Sequence, residues 1–201
     1  MKKKGIIGAG GFGREVYWSL PLNERISTVF FVDDEYYNGD NPLILPLSNL
    51  NTDEYEVIVA IGDPIDRKKI VESLPRSTKY FTHIHSSVII LDPNVEIGEG
   101  SIICANSVLT TNIKLGKHCH LNLLTTIGHD CLIGDFFTTA PGVKISGNCN
   151  ISNCVYFGTN SSIKQKINIC ENVIIGMNAA VVKNIDEPGI YTGIPSKKLI
   201  K

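Results

Sequence analysis

The 201 residues carry a formal net charge of −1 with 19% charged side chains, and no basic run exists beyond the short cluster at residues 2–4. A chain so balanced offers no basic face for nucleic acid. None of its apolar stretches approaches the roughly 18 residues of a membrane span, and glycines between positions 8 and 13 interrupt the apolar run that a signal peptide would need after those lysines. The expectation is a cytoplasmic protein of one or two domains, without nucleic acid or membrane partners.

Residues 3–8 read as a short buried strand. Gly8-Ala9-Gly10-Gly11-Phe12-Gly13 follows as a G-x-G-x-x-G turn, and residues 14–20 as a helix. Such a turn lets the backbone bend tightly and leaves helix N–H groups for a phosphate. A second strand, 28–32, ends in Asp33-Asp34, about 20 residues past the glycines, where a carboxylate meets a ribose hydroxyl in this kind of unit. A third strand, 56–61, enters Gly62-Asp63-Pro64. A helix over 67–74 and a short strand over 79–82 complete a small α/β unit with a parallel sheet. Three readings of the turn stay open here: a dinucleotide site, a site for a nucleotide with one nucleoside, or a turn with no ligand. A dinucleotide needs two mononucleotide halves, and this unit has room for one.

From His83 the helical pattern vanishes. Between Ile97 and Val181 a large apolar residue recurs every six positions, broken only by Thr139. The next position is often Gly, as at Gly98, Gly116, Gly128, Gly134, Gly158 and Gly176. Two places before each apolar residue lies a smaller inward slot, with Phe137 as its bulky exception. A period of six is neither helical nor a plain strand alternation; it is the mark of a hexapeptide β-helix. Each hexad gives a short strand and a turn, three hexads close a triangular coil, and coils are stable only when stacked. The glycines are read as easing the bend of each turn. The pattern ends after Val182, and residues 186–201 read as a tail. The expected division is 1–82, 83–185 and 186–201.

Cys119, Cys131 and Cys149 occupy the small inward slot, and no C-x-x-C pair occurs among the six cysteines. They read as small buried side chains in a reducing compartment. His118, His120 and His129 fall within twelve residues, but no Cys or carboxylate complement accompanies them, and no metal is expected.

The Gly-rich turn through Arg14-Glu15-Val16, then Asn122, His129-Asp130 and Ala140-Pro141-Gly142 within the hexads, and Tyr191-Thr192-Gly193-Ile194-Pro195-Ser196-Lys197 near the end together resemble the sialic acid O-acetyltransferase family in its broad sense. That family includes the N-acetyltransferases of nucleotide-linked 4-amino-sugars. The resemblance implies an α/β Rossmann-like subdomain followed by a left-handed parallel β-helix. It also implies a homotrimer, with acetyl-CoA held in the cleft between adjacent β-helices and no metal. The N-terminal unit would bind a nucleotide-linked amino-sugar through Gly10, Gly11, Phe12, Asp33, Asp34 and Gly62. His129 maps onto the catalytic base and Asp130 onto its acidic neighbour, while Thr138, Gly147, Thr159 and Met177 map onto cofactor contacts. Phe12 and Thr138 stand where many members carry His.

Acyl transfer from a thioester needs a nucleophile that surrenders a proton, and His is suited to take it near neutral pH. His129 lies two places after Ile127, at a coil corner, where its side chain can leave the packed prism. The expectation is acetyl transfer to a nucleotide-linked amino-sugar, a 4-amino-4,6-dideoxy sugar, for a surface glycan. O-acetylation of a sugar or sialic acid makes the same demand on His129. A β-helix without catalysis is the reading from another class.

Overall fold

The computed structural model describes residues 2–199. Within them the chain forms two compact units that part between His83 and Ile84.

The first unit holds a parallel sheet built from β1 (Lys3–Ile7), β2 (Val29–Val32), β3 (Ile44–Pro46), β4 (Tyr55–Val59) and β5 (Lys79–Tyr80), in the order β3-β2-β1-β4-β5. The inner strands read as continuous apolar runs because both faces are covered; Ile6, Val57 and Ile58 have no exposure at all. Two helices begin earlier than their apolar pattern suggests. α1 spans Gly11–Ser19, so the last glycines of the turn lie inside it. Gly13 is required there, because any Cβ would collide with the Gly8 carbonyl. α2 is the single turn Leu22–Arg25. α3 spans Pro64–Ser73, since Asp63 caps it by accepting from the Ile65 N–H at 2.9 Å and the Asp66 N–H at 3.0 Å. Pro64 then supplies the first helical φ. α2 and β3 went unpredicted, being three or four residues long and lacking a readable period.

The second unit is a parallel β-helix of hexapeptide repeats. Its mostly two-residue strands stack into three sheets, of six, five and eight strands among the described residues. The stacking step is one coil: Leu109 pairs with Ile127, Ile127 with Ile145, and Ile145 with Ile163. From Ile103 to Val181 the large apolar row lies buried, as does the smaller inward row from Ser101 to Ala179. Two positions of these rows are irregular. Thr139, small and polar, turns its hydroxyl to Thr125 Oγ1 at 2.7 Å and accepts the Asn122 N–H at 3.0 Å. Phe137 lies in the same apolar core and meets Phe157 edge-on at 5.8 Å. Ser and Cys in the small slot can share a role: Ser107 donates to the Asn122 carbonyl of the next coil at 3.1 Å and Cys131 to that of Ser146 at 3.3 Å, while Ser161 donates to Gly158 of its own turn.

The repeat glycines serve a different purpose from the one expected. Left-handed backbone occurs three places after the large apolar residue, as at Asn112 (φ 51°), Asp130 (φ 58°) and Asn148 (φ 59°). Asn and Asp tolerate that region best among residues with a Cβ. The glycine directly after the apolar residue is needed because coils approach closely: a Cβ on Gly128 would stand 2.7 Å from the Gly147 nitrogen.

The segment beyond Ile185, which carries no hexad pattern, still joins the stack. Gly189–Thr192 pairs in parallel with Val173–Ile175, and Lys197–Lys198 returns antiparallel to it. Tyr191 packs against the apolar prism, covering an end that stacked repeats otherwise leave open. Among the described residues no helix is long and apolar enough to cross a membrane.

Candidate functional site

The first unit carries a cavity of about 480 Å³ at the carboxyl ends of β1, β2 and β4. The strand order reverses between β1 and β4, which is where open α/β sheets bind ligands. Gly10, at the start of α1, and Asp33, after β2, line this cavity. Asp34 lies outside the lining. Its carboxylate accepts the Ser48 N–H at 3.0 Å, and Ser48 holds it below the usual carboxylate range. Gly11, Phe12 and Gly62 also lie outside the lining. The Gly62 carbonyl accepts from Arg67 Nη1 at 3.2 Å, and the Ile61 carbonyl accepts from the same nitrogen at 2.6 Å. Arg67 is completely buried, so a fixed cation shapes the loop after β4. Tyr36 and Asn38 line the cavity without having been picked out; their position just past the acidic pair was the available signal.

In the second unit, His129 and Asp130 form a coil corner with side chains 55% and 43% exposed. His129 Nδ1 lies 2.7 Å from Asp130 Oδ2. Asn112, one coil earlier, donates its amide to Asp130 Oδ1 at 2.6 Å. That bond, and then the one with His129, holds the Asp130 carboxyl below its usual value. An ionised carboxylate only accepts, so Nδ1 carries the imidazole proton and Nε2 keeps its lone pair. The ring lies on Gly147 of the following coil, where an added Cβ would stand 2.6 Å from Nε2. His129, Asp130 and Gly147 therefore meet at one corner, and Gly147 forms the floor beneath the imidazole.

The other candidates stand apart. Thr159 and Met177 are neighbours on successive coils, with the Asn178 N–H donating to the Thr159 carbonyl at 2.8 Å. They follow strands of the eight-stranded sheet, whereas His129 and Gly147 follow strands of the six-stranded one. Met177 is 72% exposed. Thr138 is buried together with His120 and Ile102 on its own sheet. The histidines do not converge: His118 and His120 are buried, and His118 stacks on Phe136 at 5.3 Å. Among the described residues no group of three or more His, Cys, Asp or Glu could hold a metal ion.

Residues 5–74 match the family described as the PglD N-terminal domain. The chain is 32% identical over 182 residues to GDP-perosamine N-acetyltransferase of Escherichia coli O157:H7, covering 83% of this chain and 80% of that protein. Its fold superposes on WeeI from Acinetobacter baumannii AYE with a TM-score of 0.89 at 33% identity, over 99% of this chain and 100% of that one. The acetyltransferase domain of PglB from Neisseria gonorrhoeae FA1090, solved in complex with acetyl coenzyme A, gives 0.89 at 28% identity with the same coverage. Both units and their order are shared with these proteins, and the chain belongs to the hexapeptide-repeat sugar acetyltransferases, the broad sialic acid O-acetyltransferase family in which GDP-perosamine N-acetyltransferase stands.

Proposed function

We propose that the protein transfers the acetyl group of acetyl-CoA to the amine of a nucleotide-linked 4-amino-4,6-dideoxy sugar, with His129 as general base. The observation that carries this reading is the exposed imidazole whose Nδ1 is held by Asp130 at 2.7 Å. Its Nε2 is thereby left as the lone pair of the ring, above Gly147. Nε2 takes the proton as the sugar nitrogen attacks the thioester carbonyl. Asp130 stabilises the imidazolium that results, and the proton then leaves with the coenzyme A sulfur. No covalent acyl-enzyme is required. The cavity at the carboxyl ends of β1, β2 and β4, with Gly10 and Asp33 in its wall, is read as the nucleotide pocket.

The relatives supply further support: one is named for GDP-perosamine, and another was solved with acetyl coenzyme A. Gly147, Thr159 and Met177 are read as coenzyme A contacts, and Thr138 as a support of its strand. The candidate contacts occupy two corners of a single β-helix, so one cleft can contain both only where two protomers lie side by side. This favours the trimer. The described cysteines are free thiols, which suits a reducing cytoplasm.

The test is thiol release from acetyl-CoA against a panel of nucleotide 4-amino-sugars, together with hydroxyl acceptors including sialic acid. Turnover with a nucleotide 4-amino-sugar is expected, and His129→Ala is expected to lower it by about 10²-fold or more. Turnover with hydroxyl acceptors only would move the protein to O-acetylation. An unimpaired His129→Ala enzyme would remove the base.

A further inference from the structure

We propose that Asn112 is a positioning residue of the acetyl-transfer corner, holding the Asp130 carboxylate so that Asp130 can hold His129. This rests on the reading of His129 as the base. Asp130 follows His129 directly and is 43% exposed. A carboxylate in that position would sample several rotamers if nothing restrained it. The restraint comes from the coil before. Asn112 Nδ2 donates to Oδ1 at 2.6 Å, leaving Oδ2 for His129 Nδ1 at 2.7 Å. Each oxygen thus has its own partner.

The donor is itself anchored. Asp92 accepts the Asn112 backbone N–H at 3.1 Å and the Thr111 hydroxyl at 2.6 Å, both on the same oxygen. Thr111 returns the support, since its carbonyl accepts the Asp130 N–H at 3.1 Å. The backbone and the carboxylate of Asp130 therefore both rest on the 111–112 turn. A fixed Oδ2 selects the Nδ1–H tautomer and the ring orientation over Gly147. Without Asn112 the carboxylate turns, and the fraction of imidazole ready to accept a proton falls. The amide is spent on Asp130 and not on substrate, so the loss belongs in kcat.

Position 112 has a conformational reason to be Asn, its φ of 51°, and a chemical one. Two substitutions separate them. Asn112→Gly keeps the backbone freedom and removes the donor. Asn112→Asp keeps the shape and the tolerance of this φ but opposes one carboxylate with another. The charged groups around His129 are Asp130 on its own turn and Asp92 behind Asn112. The following coil presents the uncharged Gly147 and Asn148, with Lys166 one coil further.

The experiment measures kcat, both KM values, the pH profile of kcat/KM and thermal unfolding for wild type, Asn112→Gly, Asn112→Asp and His129→Ala, using the acetyl acceptor identified in the panel. Asn112→Gly is expected to lose roughly 10-fold or more in kcat with KM unchanged, the scale of losing a partner that orients a working imidazole. Asn112→Asp is expected to lose kcat as well, because its carboxylate cannot donate to Asp130, and Asn112→Gly is expected to move the acid limb of kcat/KM to lower pH, because a carboxylate released from His129 favours the protonated ring less; a purely structural role would move neither. If Asn112→Gly does not fold, Asn112→Asp decides alone. Wild-type kcat and an unmoved acid limb, with His129→Ala inactive, would overturn the role of Asn112 only. A raised KM at constant kcat would make Asn112 a substrate contact and overturn it as well. Full activity in His129→Ala would remove the base and the positioning role together.

Discussion

A side chain at position 147 would press on His129, since a Cβ would stand 2.6 Å from Nε2 and 2.8 Å from Cε1. Its φ lies outside the left-handed region, so Gly147→Ala leaves the backbone unstrained and acts through the imidazole. The expected result is an unfolding midpoint near wild type with kcat/KM lowered by about 10²-fold, the cost of displacing a reacting group by an ångström. Equal activity in the two enzymes would show that the ring does not work from this floor. The resemblance singled out Gly147 as a coenzyme A contact, and its place under His129 became visible only with the coils stacked. Asn112 was equally hidden. It lies one coil-length before Asp130, a spacing that could have flagged it, but an Asn at a left-handed turn already has a sufficient reason to be there.

The coils are tied to one another through turn side chains as well as strand pairing, and Asp92 shows this most clearly. The Thr111 hydroxyl, followed by the backbone N–H groups of Asn94 and Asn112, draws its pKa from 3.8 down to about 2. A carboxyl depressed on folding stabilises the fold fully above its unfolded value and loses that contribution as pH falls through its folded value. Its share of stability is therefore present above about pH 4 and disappears toward pH 2. Asp92→Asn should lower the unfolding midpoint at neutral pH and show a shallower fall between pH 4 and 2 than wild type. Parallel curves would show that Asp92 does not tie the coils in this way. In the first unit the helices were legible as elements but not in their starts. α1 begins at Gly11 because Gly13 must press against Gly8, and α3 begins at Pro64 because Asp63 caps it. Both starts are set by contacts, not by the apolar period that announced the helices.

In the whole molecule, His129 with Gly147 and Thr159 with Met177 mark two corners of one β-helix, and the proposed trimer is the assembly that would bring such corners together. A solution mass three times that of the chain is expected. Two inactive variants, His129→Ala and Met177→Glu, co-expressed with different tags should regain activity in the mixed oligomer, because one cleft then receives an intact corner from each. A monomeric mass, or no recovery in mixed oligomers, would remove the shared cleft. The sequence by itself determined the prism, the small inward slot, the parallel sheet with its Gly-rich turn, and the outward His129 corner. Each is written in a short period or a local motif that every coil or turn repeats. Only the tertiary structure decided why the glycines follow the apolar row, how Gly189–Thr192 extends the stack, that Asp34 accepts from Ser48 and Thr138 lies buried, and that Asn112 reaches Asp130. These depend on which side chain meets which across stacked coils and adjacent strands, and close packing sets those meetings in three dimensions without leaving a local pattern along the chain.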